Sequence, residues 1–204
     1  MSPIRTDGVS QSWLRSANCD ARYGVVLCSA VALLLCLCAT GDAGRSALRY
    51  ERSGLAHGQL WRLLTSHLVH LSLEHALLNS AGLALLWMLF AREYPPRQWG
   101  WILLGSAAAI DAGLWFLRPA VDWYLGASGV LHGVLAAGAA ALYRRRDALG
   151  AALLLLLIVK LLYENSTGAS VFAGNLPLLP DAHLFGAFGG LIAAWVQRRP
   201  WKPL

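Results

Sequence analysis

Six apolar runs alternate with short polar segments along the 204-residue chain, at positions 24–41, 72–91, 99–117, 125–143, 148–163 and 182–196. A helix rises about 1.5 Å per residue, so the first run is long enough to cross the apolar core of a bilayer with little tilt. The pattern predicts an all-α membrane protein with six transmembrane helices. We place this domain at 23–197, between polar tails at 1–22 and 198–204.

Composition supports a membrane protein and argues against a nucleic-acid partner. The chain is 57% hydrophobic and 14% charged, with a mean hydropathy of +0.50 and a net charge of +6. Its basic residues form short clusters between the apolar runs and no continuous stripe with interleaved aromatics. They therefore indicate topology, and the lipid bilayer is the expected environment.

The distribution of Lys and Arg predicts the orientation. With six crossings, eleven of these residues lie on the side of the two termini and six on the other side. The positive-inside rule then places both termini in the cytoplasm. The first run is expected to stay as an uncleaved span, followed by a long outer loop at 42–71 with short amphipathic pieces at the membrane interface.

The four cysteines all lie in or before the first run, at Cys19, Cys28, Cys36 and Cys38. No zinc-type spacing or second cluster accompanies them, so we expect neither a metal site nor a disulfide. The sequence predicts no cofactor.

The predicted topology brings four polar residues to one depth. The second, fourth and sixth runs all cross from outside to inside, so residues near their beginnings lie just below the outer surface. These residues are His75, Asn79, Ser128 and His183. Polar side chains inside a membrane are costly, which makes their convergence a functional signal.

Ser128 is the candidate nucleophile, because a serine hydroxyl with a positioned base can attack a carbonyl carbon. His183 is the candidate general base. Asn79 and His75, four residues apart on one helical face, can donate to an oxyanion together with the backbone N–H of Ser128. Since Asp181 should point away from His183, a Ser-His dyad is the simpler prediction.

Small residues near Ser128 also have a purely structural interpretation. The spacings Gly129-x3-Gly133 and Gly186-x3-Gly190 are typical of helices whose backbones approach closely. A serine among them can mark packing alone.

Several motifs match a known family in order and spacing. They are Trp61-Arg62, His70-Leu71-Ser72, His75-x3-Asn79, Gly126-x-Ser128-Gly129 and Ala182-His183-x2-Gly186-x3-Gly190. Over about 58–196 the chain resembles the rhomboid intramembrane serine proteases. The resemblance implies a six-helix bundle, catalysis by Ser128 and His183, an oxyanion site at His75 and Asn79, and a water-filled cavity open to the outer side. It also implies that Arg62 orders the first loop.

One turn after the nucleophile, rhomboids usually carry an aromatic residue that packs on the catalytic histidine, whereas this chain has His132. The form Gly-Ala-Ser-Gly-x-x-His-Gly resembles the rhombosortase branch. That likeness implies a bacterial inner-membrane enzyme, active toward the periplasm, that cuts C-terminal Gly-Gly transmembrane sorting tails of exported proteins. Gly126 and His132 are then neighbours of the active site, and His132 could pack, transfer a proton or contact substrate.

Three other functions compete with this interpretation. A metalloprotease could use His67, His70, Glu74 and His75, but their spacing does not fit a zinc motif. A rhomboid-like protein that binds transmembrane segments without cutting them would not need Ser128 and His183. A transporter would be expected to show inverted repeats or broken helices.

Three further charged residues are left with provisional structural roles. Asp111 is expected to hydrogen-bond inside the bundle, for example to His132, or to be protonated. Lys160 and Glu164 form an i, i+4 pair that we expect on a solvated face.

Overall fold

The computed structural model describes residues 18, 22–168 and 179–197. Nearly all the regular structure is helical. The helices are α1 Gly24–Ala39, α2 Gly41–Leu48, α3 Arg52–Ala56, α4 Arg62–Thr65, α5 Leu73–Phe90, α6 Pro96–Ala112, α7 Ser128–Arg144, α8 Ala148–Thr167 and α9 Pro180–Val196. Both predicted tails, with Cys19, lie almost entirely outside the described residues.

Three of the described helices are long and apolar enough to cross a membrane. These are α5, α8 and the segment Pro96–Leu117, in which α6 continues into a π-helical turn. A fourth span is obtained if α1 and α2, which are bent by 110° at their junction, count together. Helices α7 and α9 have only 17 residues each. The chain is thus a helical membrane protein, and the count of six spans stays a prediction.

The ends of the helices follow local capping more closely than hydropathy. Helix α5 begins after Ser72, whose side chain accepts a hydrogen bond from the backbone of His75. Helix α6 begins at Pro96, three residues before the predicted run, because the fixed φ of proline suits a first helical position. Helix α8 ends at Thr167 before Gly168, which has a φ of +69°, and therefore extends past the predicted end at 163.

Glycines bring α7 and α9 into backbone contact. A Cβ added to Gly186 would lie 2.0 Å from the carbonyl oxygen of Gly129, and one added to Gly190 would lie 2.4 Å from that of Gly133. Helix α6 approaches α9 at Gly189, where an added Cβ would lie 2.4 Å from the carbonyl oxygen of Gly105 on α6. The predicted close approach at the two small-residue motifs is confirmed.

The first loop pairs with the segment that precedes α7. Strand β1 (Tyr50–Glu51) is antiparallel to β2 (Trp123–Tyr124). The backbone N–H of Gly126 also donates to the carbonyl of Ser66 at 2.9 Å. The fold is nearly all-helical, as predicted, with one short strand pair that the sequence did not predict; loop backbone groups removed from water take each other as hydrogen-bond partners.

Arg62 holds the first loop together, as the resemblance implied. Its guanidinium donates to the carbonyl oxygens of Ser46 and Arg49 at 2.8 Å each, and to the side chain of Gln59 at 2.6 Å. The residue is only 7% exposed. One buried cation thus satisfies acceptors on three residues of the first loop.

We expect Arg62→Ala to lower the free energy of unfolding by about 3 kcal/mol, because it leaves several buried acceptors without a donor. Denaturant titration in detergent micelles measures the effect. Arg97→Ala, at an exposed position on α6, is the matched control and should change stability by less than about 0.5 kcal/mol. Equal effects of the two substitutions would contradict this role for Arg62.

Candidate active site

Ser128 is the first residue of α7 and lies on the wall of a cavity of about 180 Å³. At this position its backbone N–H has no acceptor within the helix and points toward the N-terminal end. The positive end of the helix dipole favours negative charge at the same place. The cavity is lined by Leu71, His75, Trp123, Tyr124, Leu125, Ser128, Leu179 and His183.

His183 lies in the first turn of α9 with its ring beside the Ser128 hydroxyl. The distance from His183 Nε2 to Ser128 Oγ is 3.0 Å. The contact depends on the glycine packing of α7 against α9, which sets both helix N-termini at one level. The hydroxyl and the imidazole are therefore within reach for transfer of a proton.

Glu164 contacts the other nitrogen of the same ring. Its Oε2 lies 2.8 Å from His183 Nδ1, and the residue is fully buried. Our expectation that Glu164 lies on a solvated face was wrong, and His183 has an acidic partner that the dyad prediction did not include. Asp181, the acid nearest in sequence, instead pairs with Arg118.

Lys160 and His132 extend the hydrogen-bond network of Glu164 and His183 back to Ser128. Lys160 Nζ lies 2.6 Å from Glu164 Oε1 and 2.8 Å from His132 Nε2. An ammonium group can only donate, so His132 Nε2 is the acceptor and the ring proton sits on Nδ1. That nitrogen donates to the carbonyl of Ser128 at 2.7 Å.

The His132 ring also stacks on the ring of His183. Their centroids are 4.1 Å apart and the planes differ by 13°. His132 thus packs on the candidate base, one of the possibilities that the sequence left open. Asp111 does not reach it, since its carboxylate lies 3.4 Å from His67 Nε2 instead.

Of the two side chains predicted to bind an oxyanion, His75 lines the cavity and Asn79 is not among its lining residues. His75 also sits beside Gly126, where an added Cβ would lie 3.0 Å from the His75 ring. Gly126 has a φ of +121°, a conformation suited to glycine, which allows the chain to turn into α7. Asn79 is buried on the same helix, and its amide nitrogen has no hydrogen-bond partner among the described residues.

The four residues of the metalloprotease alternative do not form one site. His67 faces Asp111, while the ring of His70 packs edge-on against His75 at 4.9 Å. Burial, together with the neighbouring His75, lowers the pKa of His70 to about 4. Glu74 is exposed on the first turn of α5.

The signal that could have found Glu164 is its depth. Helix α8 runs in the opposite direction to α7 and α9, so its last turns return to the level of Ser128 and His183. Lys160 and Glu164 lie at that level, so they can face the bundle although a hydropathy profile places them at the end of an apolar run. The apolar run ends at 163, and the profile therefore assigned the following acid to solvent.

Comparisons with known proteins identify the family of this chain. The Rhomboid domain matches residues 57–200, which include the serine, the histidines and the carboxylate described above. The chain is also similar to the Bacillus subtilis (strain 168) protein named "Putative rhomboid protease YdcA", with 26% identity over 143 residues and 70% of each chain covered. On this evidence the chain belongs to the rhomboid family of intramembrane serine proteases.

Proposed function

We propose that this protein is an intramembrane serine endopeptidase in which Ser128 is the nucleophile and His183 the general base. The single observation that carries the proposal is the 3.0 Å contact between Ser128 Oγ and His183 Nε2 on the wall of a cavity. A serine at a helix N-terminus, hydrogen-bonded to a histidine that is itself oriented by a third group, is the arrangement that activates a hydroxyl.

In the first step Ser128 Oγ forms a bond to the scissile carbonyl carbon, and its proton moves to His183 Nε2. The π electrons of the carbonyl move to its oxygen. The product of this addition is a tetrahedral intermediate. When it collapses, the carbonyl re-forms, the C–N bond breaks, and the leaving amine takes the proton from His183. Water then attacks the resulting ester with His183 again as base, which releases the acid and restores Ser128.

The developing oxyanion needs donors that are already in place. The backbone N–H of Ser128 is one, and the His75 ring, on the cavity wall, is a second. The unpartnered amide of Asn79 is a third donor, reached if the substrate or a side-chain rotation brings the oxygen toward α5. The Ser128 N–H and the His75 ring already lie at the cavity and require little reorganisation during the reaction.

For the substrate, we propose C-terminal Gly-Gly transmembrane tails of exported proteins, as in the rhombosortases that the motif around Ser128 resembles. The cavity of about 180 Å³ is narrow and walled by Trp123, Tyr124 and Leu179, which suits small residues in an extended segment. Glycines destabilise a helix and so let such a segment unwind toward Ser128. The site then faces the periplasm, with both termini cytoplasmic, in the inner membrane of a bacterium.

The test is covalent labelling followed by cleavage. The purified protein in detergent micelles is treated with a fluorescent fluorophosphonate, and we expect a labelled band that Ser128→Ala abolishes. A membrane-anchored reporter with a Gly-Gly tail should then be cut by the parent and not by Ser128→Ala. Replacement of Gly-Gly with Leu-Leu in the same reporter is the matched substrate control and should slow cleavage at least tenfold.

The possible outcomes separate the alternatives. Labelling without cleavage of the Gly-Gly reporter would contradict the substrate class and retain the nucleophile. Binding of the reporter with neither labelling nor cleavage would identify a protein that recognises transmembrane segments without cutting them. Cleavage that chelators abolish and Ser128→Ala preserves would revive a metalloprotease.

A further inference from the structure

Glu164 presents two oxygens to two different partners inside the bundle. One oxygen meets His183 Nδ1 at 2.8 Å and the other meets the Lys160 ammonium at 2.6 Å. The side chain has no solvent exposure, whereas Lys160 is 20% exposed. A carboxylate taken out of water at this depth is costly unless a cation and hydrogen bonds compensate for the lost hydration.

We propose that Glu164 is a positioning residue for catalysis, which fixes the tautomer and orientation of His183, and that Lys160 fixes the orientation of Glu164. The inference rests on the proposed function, since it assigns roles within the same reaction. It replaces the predicted dyad by a serine, a histidine and a glutamate, with a lysine as the fourth member.

The tautomer of His183 follows from the groups on its two nitrogens. A carboxylate only accepts hydrogen bonds, so the proton of the neutral ring must sit on Nδ1, facing Glu164. Nε2 is then left with its lone pair directed at Ser128 Oγ, as a base requires. When the ring becomes an imidazolium during the reaction, the same carboxylate stabilises its positive charge.

Lys160 supplies the compensating charge and also sets the direction of the carboxyl group. Its ammonium is held between Glu164 and His132, and His132 in turn is anchored to the carbonyl of Ser128. Among the residues that the structure describes, the ionisable groups around His183 are His75 from α5, His132 from α7, and Lys160 and Glu164 from α8. Within this described set Lys160 is the cationic side chain and Glu164 the anionic one.

The same geometry explains why this cluster is not assigned to a metal. Nitrogen and oxygen atoms of His132, Glu164 and His183 lie within 4.8 Å of one another, a spacing that could hold an ion. Two of these three residues, however, already hydrogen-bond to the Lys160 ammonium. The Lys160 ammonium therefore provides the positive charge that a metal ion would otherwise bring to these ligand atoms.

This arrangement makes a specific prediction for an amide at position 164. In Glu164→Gln the Lys160 ammonium requires the amide oxygen, so the NH₂ group is turned toward His183 Nδ1. That nitrogen must then accept, its proton moves to Nε2, and the ring can no longer take the proton of Ser128. We expect kcat to fall by about 10²- to 10⁴-fold with KM within threefold of the parent.

Removal of the lysine in the same variant should partly reverse the loss. In Lys160→Met/Glu164→Gln no ammonium competes for the amide oxygen, which can turn to accept from His183 Nδ1–H. We expect the double variant to recover kcat at least tenfold over Glu164→Gln. If Glu164 acted only in folding, the second substitution, which removes a further polar contact, would not raise kcat.

The experiment measures kcat and KM for the Gly-Gly reporter with the parent, Glu164→Gln and the double variant in the same detergent micelles, and thermal unfolding of each. Glu74→Gln, the same change at an exposed position near the same end of the bundle, is the matched control and should stay within twofold of the parent. Should Glu164→Gln fail to fold, Glu164→Asp keeps the charge, shortens the reach to His183, and should lower kcat at least tenfold at unchanged KM.

Retention of kcat in Glu164→Gln or Glu164→Asp would overturn the inference, as would a loss in Glu164→Gln that the added Lys160→Met leaves unchanged. A fall in kcat at constant KM with recovery in the double variant would support it. If the parent protein is neither labelled nor active in cleavage, the proposed function itself fails. If the parent cleaves and its kcat does not depend on Glu164, only the present inference fails.

Discussion

Replacing His183 with alanine is expected to lower kcat about 10⁴-fold or more and to leave no measurable cleavage of a membrane-anchored reporter. The substitution removes the group 3.0 Å from Ser128 Oγ that takes its proton. The neighbouring His132 does not replace it, because its Nδ1 is committed to the carbonyl of Ser128 and its Nε2 to Lys160. The serine hydroxyl is then left at its ordinary, weak nucleophilicity.

His132→Tyr is the matched comparison at the neighbouring ring. A tyrosine keeps an aromatic face to stack on His183, where the two rings now lie 4.1 Å apart, but loses the bonds to Lys160 and Ser128. We expect measurable cleavage, reduced about tenfold. Rates with the parent and both variants are compared at equal amounts of folded protein, judged by thermal unfolding. Equal loss in both variants would mean that His132 takes part in proton transfer.

The candidate site shows what can be read from one sequence and what cannot. The level shared by His75, Ser128 and His183 follows from counting crossings, because helices that run in the same direction carry their first turns at one depth. Their side chains reach a common cavity in the structure. The convergence of these three side chains was therefore open to prediction from spacing and helix direction.

The parts that escaped prediction depend on the rotation of a helix about its axis and on pairing between loops. A Lys-Glu pair one turn apart has the same spacing on a solvated face and on a buried one, and only the packing of α8 decides that Glu164 faces His183. Likewise, the strand pair Tyr50–Glu51 and Trp123–Tyr124 joins segments about 70 residues apart that carry no turn signal linking them. Hydropathy reports how apolar a segment is, and it does not report which neighbour each side meets.

Gly186→Ala is expected to separate α7 from α9 and so to damage both stability and activity. The added methyl group would lie 2.0 Å from the carbonyl oxygen of Gly129 and 2.6 Å from its carbonyl carbon. These are backbone atoms of a helix, which cannot move aside as a flexible side chain can. The helices must shift instead, at a cost of about 1–3 kcal/mol for overpacking.

The effect on catalysis follows because this contact lies one turn from His183 on α9 and next to Ser128 on α7. A displacement of about 1 Å between a nucleophile and its base can cost about 10²-fold in rate. We therefore expect Gly186→Ala to lower kcat at least 10²-fold and to lower the thermal midpoint by about 3–10 °C.

The matched control is Gly100→Ala on α6, where an added Cβ meets nothing within 4 Å. Alanine is the better helix former by about 1 kcal/mol, so this variant should unfold at or above the temperature of the parent and cleave at the same rate. Thermal unfolding and reporter cleavage of the two variants in the same micelles test the idea. If Gly186→Ala behaved like Gly100→Ala, the backbones of α7 and α9 would not be in contact, and the position of Ser128 beside His183 would need another explanation.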